Sequence, residues 1–341
     1  MRTIFPILAV VLFLSSCEHK DLCYNHDEHA HKYHIEVQAT YRYEWEERCT
    51  DYTNWVTSWP EAYTPYDALR PTKPSGLRVI NYDKYDTHHI TNLEPDGGIV
   101  HLTEGANDLL FYNNDTEYIV FTDMNDFATT RATTRTRTRT TYDGNPFTLA
   151  SEKEETVSPP DMLFGNFYAG YIPEKVQRPT VIPVTMHPLV FTYKIRFEFE
   201  YGLHYVSLAR GALSGMARAV QLSTGTTSDE VATILFDCEM RDYGPFALVN
   251  SFGAPGYPNG NYATRGEGAY ALNLEVMLRN GKIVSFDIDV TKEVEAQPHG
   301  GVIVVKGLKI SDEDGMEGSV GGGFDVDVND WGEYEDIDIP L

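Results

Sequence analysis

Apolar and polar residues alternate along much of this chain, and few stretches repeat with the 3.6-residue period of a long helix. His34-Ile35-Glu36-Val37-Gln38-Ala39 opens a strand that Tyr41, Tyr43 and Trp45 continue. Leu77-Arg78-Val79-Ile80-Asn81-Tyr82 predicts another. Asp108 to Asn113 and Tyr118 to Phe121 flank an Asn-Asn-Asp turn at residues 113–115. These runs are short, aromatic and β-branched, with turn residues between them.

The pattern breaks near residues 158–183, which carry Pro159, Pro160, Pro173, Pro179 and Pro183. Strand patterns then restart over Leu189 to Phe199, Val231 to Phe236, Leu272 to Leu278, Ile283 to Val290, and Val302 to Ile310. The strictly alternating Phe324-Asp325-Val326-Asp327-Val328 closes the series. An all-β chain of two domains, 32–175 and 176–341, explains this better than one large barrel. One short helix is expected around Leu208 to Val220, although Gly211 and Gly215 weaken it.

Residues 1–16 have the form of an export signal. Arg2 precedes an apolar run from Ile4 to Leu14 that is too short to span a bilayer as a helix. Leu14-Ser15-Ser16-Cys17 resembles the lipobox of bacterial lipoproteins. That resemblance implies cleavage before Cys17 and acylation there, and several acyl chains together anchor firmly. Residues 17–31 then form a polar tether. With Cys17 lipidated, Cys23, Cys49 and Cys238 remain, an odd number that cannot all pair within the chain. Cys23 with Cys49 is the candidate disulfide; the alternative leaves all three as thiols.

Charge narrows the function. The 341 residues carry 27 Lys plus Arg against 51 Asp plus Glu, a formal net charge of −24. A nucleic-acid binder working through broad charge attraction is excluded on that balance. Aromatic residues at 12% also exclude a disordered acidic chain. His26, His29 and His31 lie in a histidine-rich stretch from His19 to His34, and imidazole suits zinc or copper. The stretch reads as a polar tether without metal.

Arg131, Arg135, Arg137 and Arg139 form a basic island within Ala128 to Tyr142. It is expected to be an exposed hairpin arm or mobile loop, open to an Arg-specific protease or an acidic partner. The tail from Asp312 to Leu341 is acidic and reads as a solubilising surface. No GxSxG or P-loop is present and no carboxylate pair stands out. No catalytic residue, enzyme activity or cofactor is assigned.

Several segments in order carry a broader resemblance. They are the lipobox, CYNHDEHAHKYHIEV after it, LTEGANDLLFYNNDTEYIVF at 102–121, and Pro160-Asp161-Met162-Leu163-Phe164-Gly165. Met186-His187-Pro188-Leu189-Val190-Phe191, Ala212-Leu213-Ser214-Gly215-Met216-Ala217 and the terminal FDVDVNDWGEYEDIDIPL follow. Together the chain resembles a fimbrillin-like lipoprotein of the Bacteroidales, in the domain-of-unknown-function group numbered 5119. It is similar more distantly to major and minor fimbrial subunits.

The resemblance implies two β-sandwiches of transthyretin-like Greek-key topology, held at the outer membrane by the acylated, palmitate-bearing Cys17. It implies a non-enzymatic role in adhesion or fimbrial assembly, as anchor, accessory, tip or subunit. Partners would be outer-membrane lipid, other fimbrial subunits, or a host surface protein or glycan. In polymerising relatives a protease removes the first strand and a neighbour's strand replaces it. Here that strand would be His34 to Trp45, the cut site Arg48, and the donor the segment from Phe324 toward Ile339. A Cys23–Cys49 bridge would tether the strand after such a cut. The rival reading is a surface glycan-binding lipoprotein that uses Tyr52, Trp55 and Trp59 for sugar stacking.

Overall fold

A computed structural model describes residues 32–43, 70–85, 87–138, 154–258 and 269–316. In these residues the first ten strands are β1 His34–Tyr41, β2 Leu77–Asp83, β3 His88–Leu93, β4 Gly97–His101, β5 Asn107–Asn113, β6 Ile119–Thr122, β7 Arg131–Thr134, β8 Glu155–Val157, β9 Phe164–Tyr171 and β10 Thr180–Pro188. The next nine are β11 Phe191–Tyr201, β12 Val206–Ala217, β13 Ala219–Gln221, β14 Val231–Asp237, β15 Glu239–Arg241, β16 Gly244–Ser251, β17 Ala271–Leu278, β18 Ile283–Asp289 and β19 Gly301–Lys309. The short helices α1 Thr291–Ala296 and α2 Asp312–Met316 flank the last strand. The fold is all-β, as the alternation predicts. Among the described residues no helix is long and apolar enough to cross a membrane.

The first sandwich is one sheet folded on itself, in the order β3-β2-β5-β9-β10-β1-β4. β10 joins β9 at only two positions, His187 opposite Gly165 and Pro188 opposite Phe164, and there the sheet turns its corner. The leaf β3-β2-β5-β9 then faces the leaf β10-β1-β4. Leu77, Val79, Leu109, Phe111 and Phe164 from one meet Ile35, Val37, Ala39, Val100, Val184 and Met186 from the other in a shared core. Alternate residues of each strand face inward, so burying one face sets the register.

The second sandwich packs β15-β16-β11-β19 against β18-β17-β12-β14-β8. Tyr193, Ile195, Phe197, Val249, Ile303 and Val305 fill it from one side, and Leu213, Ile234, Phe236, Leu272, Leu274 and Val276 from the other. The two sandwiches share a connection rule. In each, the first strand lies parallel to the last: β1 to β10 and β11 to β19. Parallel neighbours need crossovers, which short hairpins cannot supply.

The halves interlock at a third core. Ile80, Tyr82, Leu110 and Tyr112, on the outer face of β2 and β5, pack with Ile119, Ala132, Val190, Val220 and Phe252. β2 and β5 are thus buried on both faces, which explains their nearly unbroken apolar runs. A small sheet, β13-β7-β6, covers this core. β13 reaches back to β7, while β8 crosses forward to pair in parallel with β14. The proline-marked cut at residue 175 therefore runs through interlocked strands: β10 follows it in sequence yet completes the first sandwich. Pro183 is accommodated because β10 is fully laddered on its β1 side only, and proline is tolerated where a strand lacks a second ladder.

One local expectation is corrected. The helix expected at Leu208 to Val220 is β12 and β13. Its glycines serve strand geometry: Gly215 has φ +83°, and a Cβ on Gly211 would lie 2.3 Å from the Phe236 ring. Burial along nearly all of β12 hides the period of two. The strands on either side of residues 113–115 each pair elsewhere. β5 lies between β2 and β9, and β6 pairs with β7.

A candidate strand-exchange site

β1 alternates cleanly. Ile35, Val37 and Ala39 enter the first core while Gln38 and Thr40 face solvent. Full burial of an Ile or Val side chain stabilises by roughly 1.5–3 kcal/mol, so these side chains hold the strand firmly. On one side β1 runs parallel to β10, from Ile35 opposite Thr180 to Tyr41 opposite Met186. On the other it runs antiparallel to β4, from His34 opposite His101 to Gln38 opposite Gly97.

Both ends of the strand are tied. Lys32 N–H donates to Val176 O at 2.9 Å and Val176 N–H returns a bond at 3.1 Å. Ala39 N–H donates to Asp96 O at 2.9 Å, and Arg42 N–H to Met186 O at 3.0 Å. The Tyr41 hydroxyl donates to Pro95 O at 2.9 Å. Burial, then the Asp115 and Asp96 carboxylates, raise the Tyr41 phenol above its ordinary pKa. The rings of Tyr41 and Tyr43 meet Phe164 edge-on at 5.5 and 5.6 Å, and the Arg70 guanidinium lies 4.2 Å over Tyr43.

The slot is defined by what β1 supports. β4 ends the sheet, and β1 is its ladder partner in the sheet order. β10 retains the two-residue junction with β9, plus Asn166 Nδ2 to Thr185 O at 2.6 Å and Tyr168 Oη to Pro183 O at 2.9 Å. Lifting out β1 would thus leave a groove lined by Val79, Val100, Phe111, Val184 and Met186, with two strand edges facing each other across it.

Cys17, Cys23, His26, His29, His31, Arg48, Cys49, Arg139 and the segment from Phe324 lie outside the described residues, as do Tyr52, Trp55 and Trp59. Cys238 is half-buried and in no disulfide. The rest of the basic island is part strand and part exposed: Arg131 lies in β7, while Arg135, Thr136 and Thr138 are exposed. Ala132 and Thr134 are buried in β7, and Arg131 and Arg137 meet acids of the second half. Arg131 Nη2 lies 3.0 Å from Glu230 Oε2, and Arg137 Nη2 lies 3.2 Å from Asp237 Oδ2. The Arg135 guanidinium lies 5.9 Å from the centre of the Tyr118 ring. Arg218, which sequence reasoning missed, completes the seam: its Nη1 donates to Thr134 O at 2.9 Å and its Nε contacts Glu155 Oε2 at 2.6 Å. The sequence spacing carries no trace of partners about a hundred residues away.

The last described segment is latched to the second sandwich. Asp312 Oδ1 accepts from the Tyr201 and Tyr205 hydroxyls at 2.5 and 2.9 Å, and Lys282 Nζ bonds Asp314 Oδ1 at 2.7 Å. These hydrogen bonds hold both carboxyls below the usual range. Among the described residues no three His, Cys, Asp or Glu side chains converge as a metal site.

A family model described as a domain of unknown function, DUF5119, matches residues 67–237, which is half of the chain. The chain belongs to the DUF5119 family. The match runs from just ahead of β2 to the end of β14, so it takes in the seam but neither β1 nor β19. No curated protein matches. Among solved structures, a candidate adhesin of Bacteroides ovatus is similar over 83% of this chain and 91% of its own, at 18% identity and TM-score 0.56. The fimbrial anchor protein Mfa2 of Porphyromonas gingivalis is similar over 80% and 90%, at 11% identity and TM-score 0.42. The tip fimbrial protein Mfa3 of the same organism is similar over 63% and 76%, at 12% identity and TM-score 0.31. The B. ovatus protein shares the fold of this DUF5119 chain.

Proposed function

We propose that this chain is a non-enzymatic surface lipoprotein of adhesion or fimbrial assembly, working through strand-edge contacts at the β1 position. The observation that carries the reading is the place of β1. It is the first described strand, yet it is inserted between β10 and β4 with its apolar face in the core. A partner strand in that slot would gain main-chain hydrogen bonds from both edges and pockets for alternate side chains. The lipobox at Cys17 supports an outer-membrane anchor just ahead of this strand. Arg48 is the proposed cut site behind it, and the alternating segment from Phe324 the proposed donor. The shared fold with a candidate adhesin agrees with this class.

The experiment is mass spectrometry of the protein from its native membrane, before and after treatment with an Arg-specific protease, with native gels alongside. Cleavage after Arg48, loss of the lipid-bearing fragment and a ladder of oligomers are expected of a polymerising subunit. An acylated Cys17 with monomers throughout assigns an anchor or adhesin. A Cys17 without lipid overturns the anchored reading.

A further inference from the structure

The first rung of the β1–β4 ladder is a pair of histidines. His34 on β1 stands directly opposite His101 on β4. The next pair outward, Tyr33 and Leu102, is hydrogen-bonded, with Leu102 N–H donating to Tyr33 O at 2.7 Å. Antiparallel pairs alternate, so His34 and His101 occupy a non-hydrogen-bonded rung, where Cα atoms approach to about 4.5 Å and side chains are closest. Their ring centroids are 6.0 Å apart, inclined at 55°. Two imidazoles on one tetrahedral zinc ion, with Zn–N near 2.0–2.1 Å, place their centroids about 5 Å apart. A small rotation of the exposed ring of His101 would close the difference.

A second observation points to a ligand. His34 is only 7% exposed, and its Nδ1 has no hydrogen-bond partner. Buried polar atoms are normally satisfied, so an unpartnered imidazole nitrogen on a ring beside a second imidazole is a candidate ligand atom. Neutral imidazole is a preferred donor for zinc.

We infer that His34 and His101 form a cross-strand site for a divalent transition metal, Zn²⁺ in the first instance, with water completing its coordination. The ion would staple β1 to β4 at the open end of the slot. The site stands on geometry alone; only its consequence, a retained first strand, rests on the strand-exchange reading.

The test uses the full chain, titrated with ZnCl₂ by calorimetry and followed by thermal melting. Three proteins are compared: wild type, His101→Ala, and a variant with His19, His26, His29 and His31 all changed to alanine. His101 is exposed, so its substitution should leave the metal-free melting temperature unchanged. The expected result is that wild type binds and melts higher with Zn²⁺, the four-histidine variant keeps one equivalent, and His101→Ala loses at least tenfold in affinity for that equivalent. Absence of Zn²⁺ binding by wild type overturns the site. So does equal binding by wild type and His101→Ala, or loss of all binding in the four-histidine variant.

Discussion

Gly97 approaches Val37 so closely that a Cβ on it would lie 1.9 Å from the Val37 carbonyl oxygen. Gly97 also has φ +115°, a backbone region L side chains rarely adopt. β4 can therefore dock on β1 only with glycine here. Gly97→Ala is expected to destabilise by about 2–3 kcal/mol, combining backbone strain with overpacking. Hydrogen exchange should show the β1 amides Ile35 to Ala39 exchanging before the core of the second sandwich. Unchanged protection of β1 would refute this account of the slot.

Arg210 and Glu275 face each other across β12 and β17, with Nε to Oε2 at 2.9 Å and side chains 9% and 2% exposed. Removing one partner from a buried ion pair typically costs about 3–5 kcal/mol, because the other charge stays buried and uncompensated. Urea melts of Arg210→Ala should show that loss. The double change Arg210→Met with Glu275→Leu should recover most of it.

Lys194 is buried beside Arg196, with Phe246 under its ammonium at 5.8 Å. Burial, and then the Arg196 charge, lower its pKa from 10.5 to about 8. Between those values the unfolded chain holds a proton that the folded chain has released. Stability contributed by this group therefore rises with pH through that window, and the penalty of a buried charge is fully present below it. Lys194→Met is expected to stabilise by about 1–3 kcal/mol near pH 7 and to match wild type near pH 10.5. Equal pH profiles for the two proteins would contradict the shift.

Arg218 joins the seam through Thr134 O, the Thr133 hydroxyl and Glu155. Arg218→Ala should cost about 1.5–3 kcal/mol, the usual worth of a hydrogen bond to a charged group. Limited proteolysis should then cut faster between β7 and β8 than in wild type. A digestion pattern identical to wild type would show that the apolar third core alone holds the seam.

The legibility of the chain varied with how local each determinant was. β1, β14 and β17 could be read from their residues because β-branched and aromatic side chains suit a pleated strand. β12 reads as a helix because burial on both faces removes its period of two, and its glycines read as a weak helix rather than as strand bends. In the basic island the arginines were plain, but their acids at Glu230 and Asp237 were not. The His34–His101 rung escaped for the same reason, since the two residues are 67 positions apart. Gly97-Gly98 does carry a local signal, since paired glycines within a strand mark a close backbone approach.

Local patterning by itself determined the strand content, the apolar face of β1 and the charge of the chain, because side-chain chemistry and alternation act over a few residues. Tertiary structure decided which strands are neighbours. The parallel pairs β1–β10 and β11–β19, the crossing of β8 and β13 between the halves, and the double burial of β2 and β5 all join residues far apart in sequence. A strand's alternation says which side it buries. Its backbone hydrogen bonds are alike at every position, so they name no partner, and only the packing of complementary faces selects one.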